Sequence, residues 1–431
     1  MNKTVAVLLL TSMALYLPAA SAQAQLTEKV LYAFTGGADG GYPYSGLVSD
    51  AVGNLYGTTL SGGSTNCYLG CGVVFELSPA SGGGWTETVL HTFTGGSDGA
   101  HPIGGLILDS VGNLYGTTSV GGLATTCVPA GDCGTVFELT PTSGGGWTET
   151  VLYGFKGGGS DGNGPQASLV FDKAGNLYGT TVGGGGTNCL GEGCGTIFRL
   201  TPTSSGGWKE SVLHAFTGGN DGGHPLSAMV FDAAGNLYGT AYQGGASAVC
   251  YSGCGVVFKL TPATVGWRES VIHTFTGGND GSTPWYSGVI FDPAGTLYGT
   301  ANNVFRLTKG SSGGWIEGTI HNFTSLLDGQ EPRGGLIFDA SGNLYGTTWL
   351  TNNDIGAGTA FELTLTSKGW RESALYRFTG GSDGGYPEAG LMVDSLGNLY
   401  GTTSGGGSVN SVCQAGCGVV YELSPASSEA H

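Results

Sequence analysis

The stretch Asp109-Ser110-Val111-Gly112-Asn113-Leu114-Tyr115-Gly116-Thr117-Thr118 contains the pattern that decides the fold. The pattern Asp-x-x-Gly-Asn-Leu-Tyr-Gly-Thr occurs six times, and a seventh copy has Thr in place of Asn. The Asn position is occupied by Asn54, Asn113, Asn176, Asn236, Thr296, Asn343 and Asn398, at spacings of 47 to 63 residues. Recurrence across nearly the whole chain predicts seven copies of one structural unit.

Each unit contains four short segments typical of β-strands. In the second unit they are 105–108, 113–118, 135–139 and 147–153. Residues 109–112 form the first turn, because Asp bonds backbone amides and Gly adopts positive φ. No segment of the mature chain has a long helical period. Four-stranded units in radial array are typical of propellers. The sequence therefore predicts an all-β, seven-bladed β-propeller of four-stranded blades.

The two chain ends indicate that the ring is closed. Residues 26–32 match a fourth strand, whereas residues 418–423 match a third strand and end the last unit. We predict that the N-terminal strand pairs into the last blade, which removes an exposed sheet edge. A solenoid would gain nothing from a spare strand at one end and a missing strand at the other, and would need polar capping units instead.

The N-terminus is typical of an export signal. Lys3 precedes an apolar stretch, and Ala22-Gln23-Ala24 is an A-x-A cleavage site. We predict a signal peptide at 1–24, a single propeller domain at 25–431, and a secreted or periplasmic protein. No later apolar run approaches the length of a membrane span.

Ten cysteines fall into five local pairs, which favours disulfides in an exported protein. The sequence contains no C-x-x-C motif, so a zinc site or a redox dithiol is less favoured. The pairs are Cys67/Cys71, Cys127/Cys133, Cys189/Cys194, Cys250/Cys254 and Cys413/Cys417.

The net charge of −17 and the lack of a basic patch exclude nucleic acid and anionic membranes as expected partners. We expect a monomer that binds an extracellular polysaccharide or protein.

Because strands alternate in direction, the cysteine loops and the long Thr-Gly-Gly-x-Asp-Gly-x-x-Pro connections share one face. We name it the disulfide face and predict that it binds the ligand, since long loops usually carry function.

Each long connection contains one aspartate. Calcium binding is one interpretation, but calcium needs several oxygen ligands from a compact loop. Asp-Gly is also a turn dipeptide, so a structural role is the simpler interpretation. We therefore expect no cofactor, with calcium as the alternative. The aspartates are Asp39, Asp98, Asp161, Asp221, Asp280, Asp328 and Asp383.

The residue before the proline of each connection varies in an otherwise repeated frame. This variation is typical of a binding surface, although unconstrained loop drift would also produce it. Aromatic and His side chains suit stacking on a sugar or on a partner chain. Our ligand-binding candidates are Tyr42, His101, His224, Trp285, Glu331 and Tyr386, of which Trp285 follows its proline.

Two further repeated positions are predicted to be packing sites. One fourth-strand position accepts His or Tyr, and another holds Trp in six units. The first contains His91, His214, His273, His321, Tyr32, Tyr153 and Tyr376, and the second contains Trp85, Trp147, Trp208, Trp267, Trp315 and Trp370.

Catalytic motifs are missing from the sequence: there is no G-x-S-x-G, H-E-x-x-H or P-loop. We predict no catalytic residues and a non-enzymatic binding function. The alternative is a carbohydrate-active or lyase-type enzyme with acids at the channel mouth, for which His101 with Glu331 is a candidate pair. Glu192 and Glu388 also interrupt the repeat near this face. A purely structural surface protein is a third possibility.

The unit Phe-Thr-Gly-Gly-x-Asp-Gly-x-x-Pro followed by Asp-x-x-Gly-Asn-Leu-Tyr-Gly-Thr-Thr, seen at 378–403, resembles the GloVer tandem-repeat family of bacterial exported proteins. The resemblance covers about residues 28–425 and implies a surface or secreted location. It transfers no catalytic residues, because the family's activity is not established.

The fifth and sixth units interrupt the ring of cysteine loops. The fifth lacks the loop between Thr300 and Asn303, and the sixth has 349–358 in its place. The resulting gap in the rim favours a specific docking side over a purely structural role.

Overall fold

The computed structural model describes residues 26–122, 133–186, 189, 193–247, 249–324, 328–351 and 356–425. These residues form seven four-stranded antiparallel sheets and one additional two-stranded pair. The predicted seven-bladed β-propeller is confirmed. The described ranges contain no helix, and so none that could cross a membrane. The predicted signal peptide at 1–24 lies outside these ranges.

The first four blades have closely similar strand lengths. Blade one consists of β2 (Val48–Ser49), β3 (Leu55–Thr59), β4 (Val73–Pro79) and β5 (Trp85–Thr92). Blade two consists of β6 (Ile107–Leu108), β7 (Leu114–Thr118), β8 (Thr135–Pro141) and β9 (Trp147–Gly154). Blade three consists of β11 (Val170–Phe171), β12 (Leu177–Thr181), β14 (Thr196–Pro202) and β15 (Trp208–Ala215), and the extra pair is β10 (Gly162–Asn163) with β13 (Gly183–Gly184). Blade four consists of β16 (Val230–Phe231), β17 (Leu237–Ala241), β18 (Val256–Pro262) and β19 (Trp267–Thr274).

The last three blades differ mainly in their loops. Blade five consists of β20 (Ile290–Phe291), β21 (Leu297–Thr300), β22 (Asn303–Lys309) and β23 (Trp315–Asn322). Blade six consists of β24 (Ile337–Phe338), β25 (Leu344–Thr348), β26 (Thr359–Thr366) and β27 (Gly369–Arg377). Blade seven consists of β28 (Met392–Val393), β29 (Leu399–Thr403), β30 (Val419–Pro425) and the N-terminal β1 (Leu26–Ala33).

The ring closes as predicted. Strand β1 pairs antiparallel with β30, from Leu26 opposite Pro425 to Ala33 opposite Val419. Residues from both ends of the chain therefore complete one sheet, and the outer edge of β30 is covered.

The repeated aspartate shapes the turn between the first two strands of each blade. Asp109 accepts hydrogen bonds from the backbone amides of Val111 and Asn113, both at 2.9 Å. Its other carboxylate oxygen accepts from the Asn113 side-chain amide at 3.0 Å and from the Tyr115 hydroxyl at 3.2 Å. The carboxylate thus binds the side chains of Asn113 and Tyr115, which explains why Asp, Asn and Tyr recur together in the motif.

The glycine of the Leu-Tyr-Gly-Thr-Thr strand allows a phenylalanine ring of the third strand to pack directly on the backbone. A Cβ atom on Gly116 would lie 2.5 Å from Cζ of Phe137, so no other residue fits without a shift. Both Phe137 and the neighbouring Leu114 are fully buried. The core lies between neighbouring blades, where buried residues of the second and third strands of one blade pack on those of the next.

Aromatic side chains on the fourth strand join neighbouring blades. Trp147 of blade two packs edge-to-face on Tyr56 of blade one, with ring centres 6.2 Å apart. His91 packs on Phe93 at 4.7 Å, and its Nε2 atom lies 3.6 Å from the Asp98 carboxylate. The Trp and His positions are packing positions, as predicted, and the His position also faces the aspartate of the next connection.

Four of the predicted disulfides are present on one face. They are Cys67–Cys71, Cys189–Cys194, Cys250–Cys254 and Cys413–Cys417. The disulfides pack on the connection to the next blade: a Cβ on Gly95 would lie 2.7 Å from Cys67 Sγ. Disulfides indicate an oxidising compartment and therefore an exported protein.

The outcome for Cys133 differs from that of the other predicted cysteines. Cys133 is fully buried in the core between blades two and three, and it is disulfide-bonded. Its predicted partner, Cys127, lies outside the described residues. A disulfide at Cys133 is therefore confirmed, whereas its pairing with Cys127 stays a prediction from the spacing of the two residues.

Candidate functional site

The seven innermost strands surround a central cavity of about 400 Å³. Its wall is mostly glycine, alanine and aliphatic side chains from all seven blades. Four larger polar side chains follow the connection prolines and mark the end of the channel at the disulfide face: Tyr44, Gln166, Tyr286 and Glu388. The innermost strands are shorter than predicted. Of the expected strand 105–108 only Ile107–Leu108 pair with the next strand, and Gly105 borders the channel instead. An apolar cavity with a few polar groups at its mouth is the usual form of a ligand site.

The residue before the connection proline links two blades through its backbone amide, as at Tyr42, His101, Gly164, His224, Thr283 and Tyr386. Tyr42, with φ of 54°, donates its amide hydrogen to the Cys417 carbonyl of the preceding blade at 2.8 Å. His101, with φ of 53°, donates to the Cys71 carbonyl at 2.8 Å. Left-handed backbone is uncommon for non-glycine residues and is maintained by surrounding structure. The same positive φ occurs at Tyr42, His101, Gly164, His224, Thr283, Glu331 and Tyr386.

Several candidate side chains at this position are bound to neighbouring loops. His101 Nε2 lies 3.1 Å from the Gly70 carbonyl, and His224 Nδ1 lies 2.9 Å from the Val182 carbonyl. Tyr42 packs against the Cys413–Cys417 disulfide. These side chains therefore support the loops around the channel mouth.

Arg333, which follows the proline of the sixth connection, is the centre of a charged cluster. Its Nη2 atom donates to Glu331 at 2.8 Å, and its Nη1 atom donates to Glu388 of blade seven at 3.5 Å. The Glu331 side chain is 38% exposed, whereas that of Glu388 is 6% exposed. Two carboxylates therefore meet on one guanidinium at the mouth. The proposed partner of Glu331, His101, is bound to the first blade's loop instead, and Glu192 lies outside the described residues.

Aromatic rings surround this guanidinium. The Cζ atom of Arg333 lies 3.5 Å from the ring centre of Trp349 and 5.3 Å from that of Trp285. Trp285 in turn contacts Tyr242, with centres 4.4 Å apart, and Trp349 contacts Tyr386 at 5.9 Å. We name these five residues together with Glu331 and Glu388 the mouth cluster. It spans blades four to seven along one side of the channel mouth.

Two hydrogen-bond donors of the mouth cluster have no acceptor among the residues that the structure describes. The Arg333 Nε and Trp349 Nε1 atoms are buried and unpaired among the described residues. Buried N–H groups in folded proteins nearly always have a partner. An acceptor oxygen from water or from a ligand is therefore expected beside these two residues.

Burial is the main cause of the shifted pKa of Glu388 in the mouth cluster. It raises the pKa of Glu388 to about 7, although the nearby Arg333 charge lowers it. Burial, followed by the Glu388 charge, raises the pKa of Tyr44 to about 12 and also raises the pKa of Tyr286. Burial thus favours the protonated form of Glu388 and the neutral hydroxyl form of both tyrosines.

The connection aspartates are bound within their own loops. Asp39 accepts from the Thr35 amide at 2.8 Å, from the Thr35 hydroxyl at 2.5 Å and from the Tyr32 hydroxyl at 3.1 Å. Asp161 likewise accepts from the Lys156 amide and the Tyr153 hydroxyl, each at 2.9 Å. Within the described ranges no three His, Cys, Asp or Glu residues converge as a metal site would require. The aspartates thus have the geometry of loop-closing residues.

Three residues of the mouth cluster were not among the sequence candidates: Arg333, Trp349 and Tyr242. Trp349 and Tyr242 directly follow the second strand of blades six and four. Their signal in the sequence is an aromatic residue after the Leu-Tyr-Gly-Thr strand, where other units have Leu60, Ser119, Val182, Asn302 and Ser404. Aligning the seven units on this strand would have identified them.

The fold and the mouth cluster define a disulfide-bearing β-propeller with a channel-mouth site on its loop-rich face. The family model described as the Gloeobacter/Verrucomicrobia repeat matches residues 19–191, 125–311 and 302–431. The chain belongs to this repeat family, which confirms the GloVer resemblance.

No curated protein matches the chain. One similar solved structure is a protein of Thermus thermophilus described as a candidate oxidoreductase (glucose dehydrogenase), with 16% identity and a TM-score of 0.43; the match covers 93% of this chain and all of that one. Another is PorZ, a surface component of the type-IX secretion system of Porphyromonas gingivalis, with 14% identity and a TM-score of 0.47. That match covers 89% of this chain and 46% of PorZ. At this level of similarity neither protein's role carries over.

Proposed function

We propose that this chain is an exported, non-enzymatic binding protein that holds a neutral polysaccharide at the channel mouth of its disulfide face. The observation that carries the proposal is the mouth cluster. There, Arg333 and Trp349 each have a buried donor atom without an acceptor in the described part of the chain, beside an apolar cavity of about 400 Å³.

The charges of the cluster favour a neutral ligand. Arg333 is already paired with Glu331 and Glu388, so no uncompensated positive charge remains for an anionic polymer. The chain as a whole carries −17, which also repels anions at long range.

The hydrogen-bonding groups favour a hydroxyl-rich ligand. The unfilled N–H groups of Arg333 and Trp349 need acceptor oxygens, and the exposed part of Glu331 accepts from hydroxyls. Tyr44 and Tyr286 add two neutral hydroxyl groups at the channel lining. Tryptophan and tyrosine rings supply apolar area for the C–H faces of sugars. A polysaccharide provides all of these complementary groups.

Thermal unfolding of the mature protein in the presence of soluble polysaccharides tests the proposal. A ligand at about a hundred times its dissociation constant adds roughly 2.7 kcal/mol of stability. We expect a neutral glycan to raise the melting temperature of the wild type and to have a smaller effect on Trp349→Ala. Tyr68→Ala is the control, because Tyr68 is an 88% exposed aromatic residue on the first disulfide loop. No shift with any polysaccharide, or equal shifts in Trp349→Ala and the wild type, would refute the proposal.

The same measurements with and without calcium separate the mouth cluster from the aspartates. We expect the glycan-induced shift to be independent of calcium, because the connection aspartates are bound within their own loops. A shift that requires calcium would assign the binding to the aspartates instead.

A second function is favoured by the two carboxylates on Arg333. In a glycoside hydrolase, protonated Glu388 would donate a proton to the glycosidic oxygen, and ionised Glu331 would take one from the attacking water. The pKa of Glu388, about 7 because of its burial, suits this acid role. Release of reducing ends from the bound glycan by the wild type, but not by Glu388→Gln, would establish the enzyme. Binding without release supports the non-enzymatic function.

A further inference from the structure

The rim of the disulfide face is built by the loops between second and third strands. In blade one this loop reaches outward, and Asn66 Nδ2 donates to the Thr94 carbonyl at 3.1 Å. In blade four Ser247 Oγ donates to the Thr276 carbonyl at 2.9 Å, and in blade seven Asn410 Nδ2 donates to the Thr35 carbonyl at 2.7 Å. Each of these loops covers the outer part of its own blade.

Blade five has only Ala301 and Asn302 between its second and third strands. The fourth strand of blade five also differs from the others at one position. Thr319 is exposed, whereas the equivalent residues are half-buried and apolar: Val30, Val89, Val151, Val212, Val271 and Ala374. A polar residue at this position is consistent with an uncovered surface, which we name the blade-five gap.

The inner end of the blade-five gap reaches the mouth cluster. The Asn302 side-chain amide donates to Ser282 Oγ at 3.0 Å and to Thr283 Oγ1 at 3.3 Å. Pro284 and then Trp285 follow directly in the chain. Trp285 is an inserted residue. The other units have one residue between the connection proline and the following Gly, Ala or Ser, whereas this unit has two, Trp285 and Tyr286. The insertion and the short loop therefore occur in the same blade.

The outer part of the gap is polar and includes one carboxylate, since Thr319 Oγ1 also lies 3.2 Å from Glu317 Oε1. Asn303 Nδ2 and Thr319 Oγ1 both donate to the Asn279 carbonyl, at 2.9 and 2.8 Å. The buried Asn303 Oδ1 atom has no hydrogen-bond donor among the described residues. Hydroxyl, amide, carbonyl and carboxylate groups thus extend from the rim of blade five to Trp285, and together they complement the donor and acceptor hydroxyl groups of a neutral sugar chain.

We infer that the blade-five gap binds an extended segment of the polysaccharide, so that the chain runs from the channel mouth outward between the loops of blades four and six. The inference rests on the proposed function and adds to it a requirement for chain length. The mouth cluster binds one or two sugar units, and Asn302, Thr319 and Ser282 contact the units beyond them.

Affinity as a function of chain length tests this inference. The probes are oligosaccharides of two to eight units from β-1,4-glucan, β-1,4-mannan, β-1,4-xylan and α-1,4-glucan, measured by titration calorimetry on the mature protein. In the series that binds, we expect the hexamer to bind at least about tenfold more tightly than the dimer. Thr319→Trp should reduce this ratio below about twofold and leave the affinity for the dimer unchanged.

Two further variants keep the test decisive. Thr88→Trp makes the same substitution at an exposed fourth-strand position of blade one, whose loop is intact, and should keep the wild-type ratio. Asn302→Gly retains the positive φ of 59° and removes the amide, so it should weaken the hexamer and not the dimer even if Thr319→Trp does not fold.

The possible outcomes separate the two proposals. Equal affinity for dimer and hexamer, or an unchanged ratio in both gap variants, would overturn this inference and leave the binding function intact. Absence of binding in all four series, together with no shift in the polysaccharide panel, would remove both.

Discussion

The Arg333 guanidinium carbon lies 3.5 Å from the centre of the Trp349 ring, and both residues are on blade six. A cation this close to an indole face is stabilised by the ring quadrupole. The two carboxylates on the same guanidinium fix its orientation. The channel mouth is therefore organised before any ligand arrives, which lowers the entropic cost of binding.

Removing the Arg333 charge should destabilise the protein in a pH-dependent manner. In Arg333→Met, buried Glu388 loses its counter-charge, and its pKa rises further from about 7. At pH 8, where wild-type Glu388 is ionised and paired, loss of the counter-charge should cost about 3 kcal/mol of unfolding free energy. At pH 5 the carboxyl is protonated in both proteins and the loss should be much smaller. Chemical denaturation at both pH values measures the difference. Because the fourth-strand glutamates titrate in the same pH range, the reference is Glu388→Gln: the double variant Arg333→Met/Glu388→Gln should differ from it by the same free energy at both pH values, and a pH-dependent difference between these two variants would contradict this account.

The fourth-strand glutamates should make the protein less stable as pH rises toward neutrality. Burial, and then the Asp39 charge, raises the pKa of Glu87 to about 7, and one of its oxygens is buried without a partner among the described residues. A raised carboxyl pKa contributes stability that is present below the unfolded value of 4.5 and is lost as pH rises through 7. Glu87→Gln should therefore raise the melting temperature at pH 8 and have little effect at pH 4.5. A lower melting temperature at pH 8 would show that the charge is stabilising.

The repeated glycine of the second strand should tolerate no side chain. Gly116→Ala places a methyl group 2.5 Å from Cζ of Phe137 and should cost about 1–3 kcal/mol of unfolding free energy. Gly144→Ala is the matched control, because a Cβ there has no atom within 4 Å. Urea denaturation of the two variants should differ by at least about 1 kcal/mol. Equal stabilities would mean that the Phe137 ring moves freely.

The N-terminal strand should be required for a stable monomer. A mature chain lacking residues 25–33 exposes the whole outer edge of β30 and should melt earlier and self-associate through that edge. Light scattering and calorimetry measure both effects. A synthetic peptide of residues 25–33 should restore the wild-type behaviour, whereas a peptide of scrambled order should not. An unchanged monomer after truncation would contradict the observed closure.

The sequence was sufficient to predict the fold because each blade repeats the same local chemistry. Asp109, Gly112 and Asn113 make a turn within seven residues of Tyr115, so their spacing alone predicts the hairpin. The closure was also predictable, since the unmatched strands at the two ends belong to one four-stranded unit.

The candidate site was only partly predictable. Trp285, Glu331 and Tyr386 belong to the mouth cluster, but Arg333 contacts Trp285 and Trp349 contacts Tyr386 across the boundaries between blades. These contacts depend on the positions of the blades around the channel, which repeat spacing does not specify. The left-handed backbone at His101 likewise directs that side chain onto the Gly70 carbonyl, a result of tertiary hydrogen bonds and not of local sequence.

A crystal structure of the mature protein with the oligosaccharide that stabilises it most tests the central claim directly. We predict a sugar oxygen within hydrogen-bonding distance of both Arg333 Nε and Trp349 Nε1, with the chain leaving the mouth over Asn302. A sugar bound only on the opposite face, or on the disulfide loops with both donors still unfilled, would contradict it.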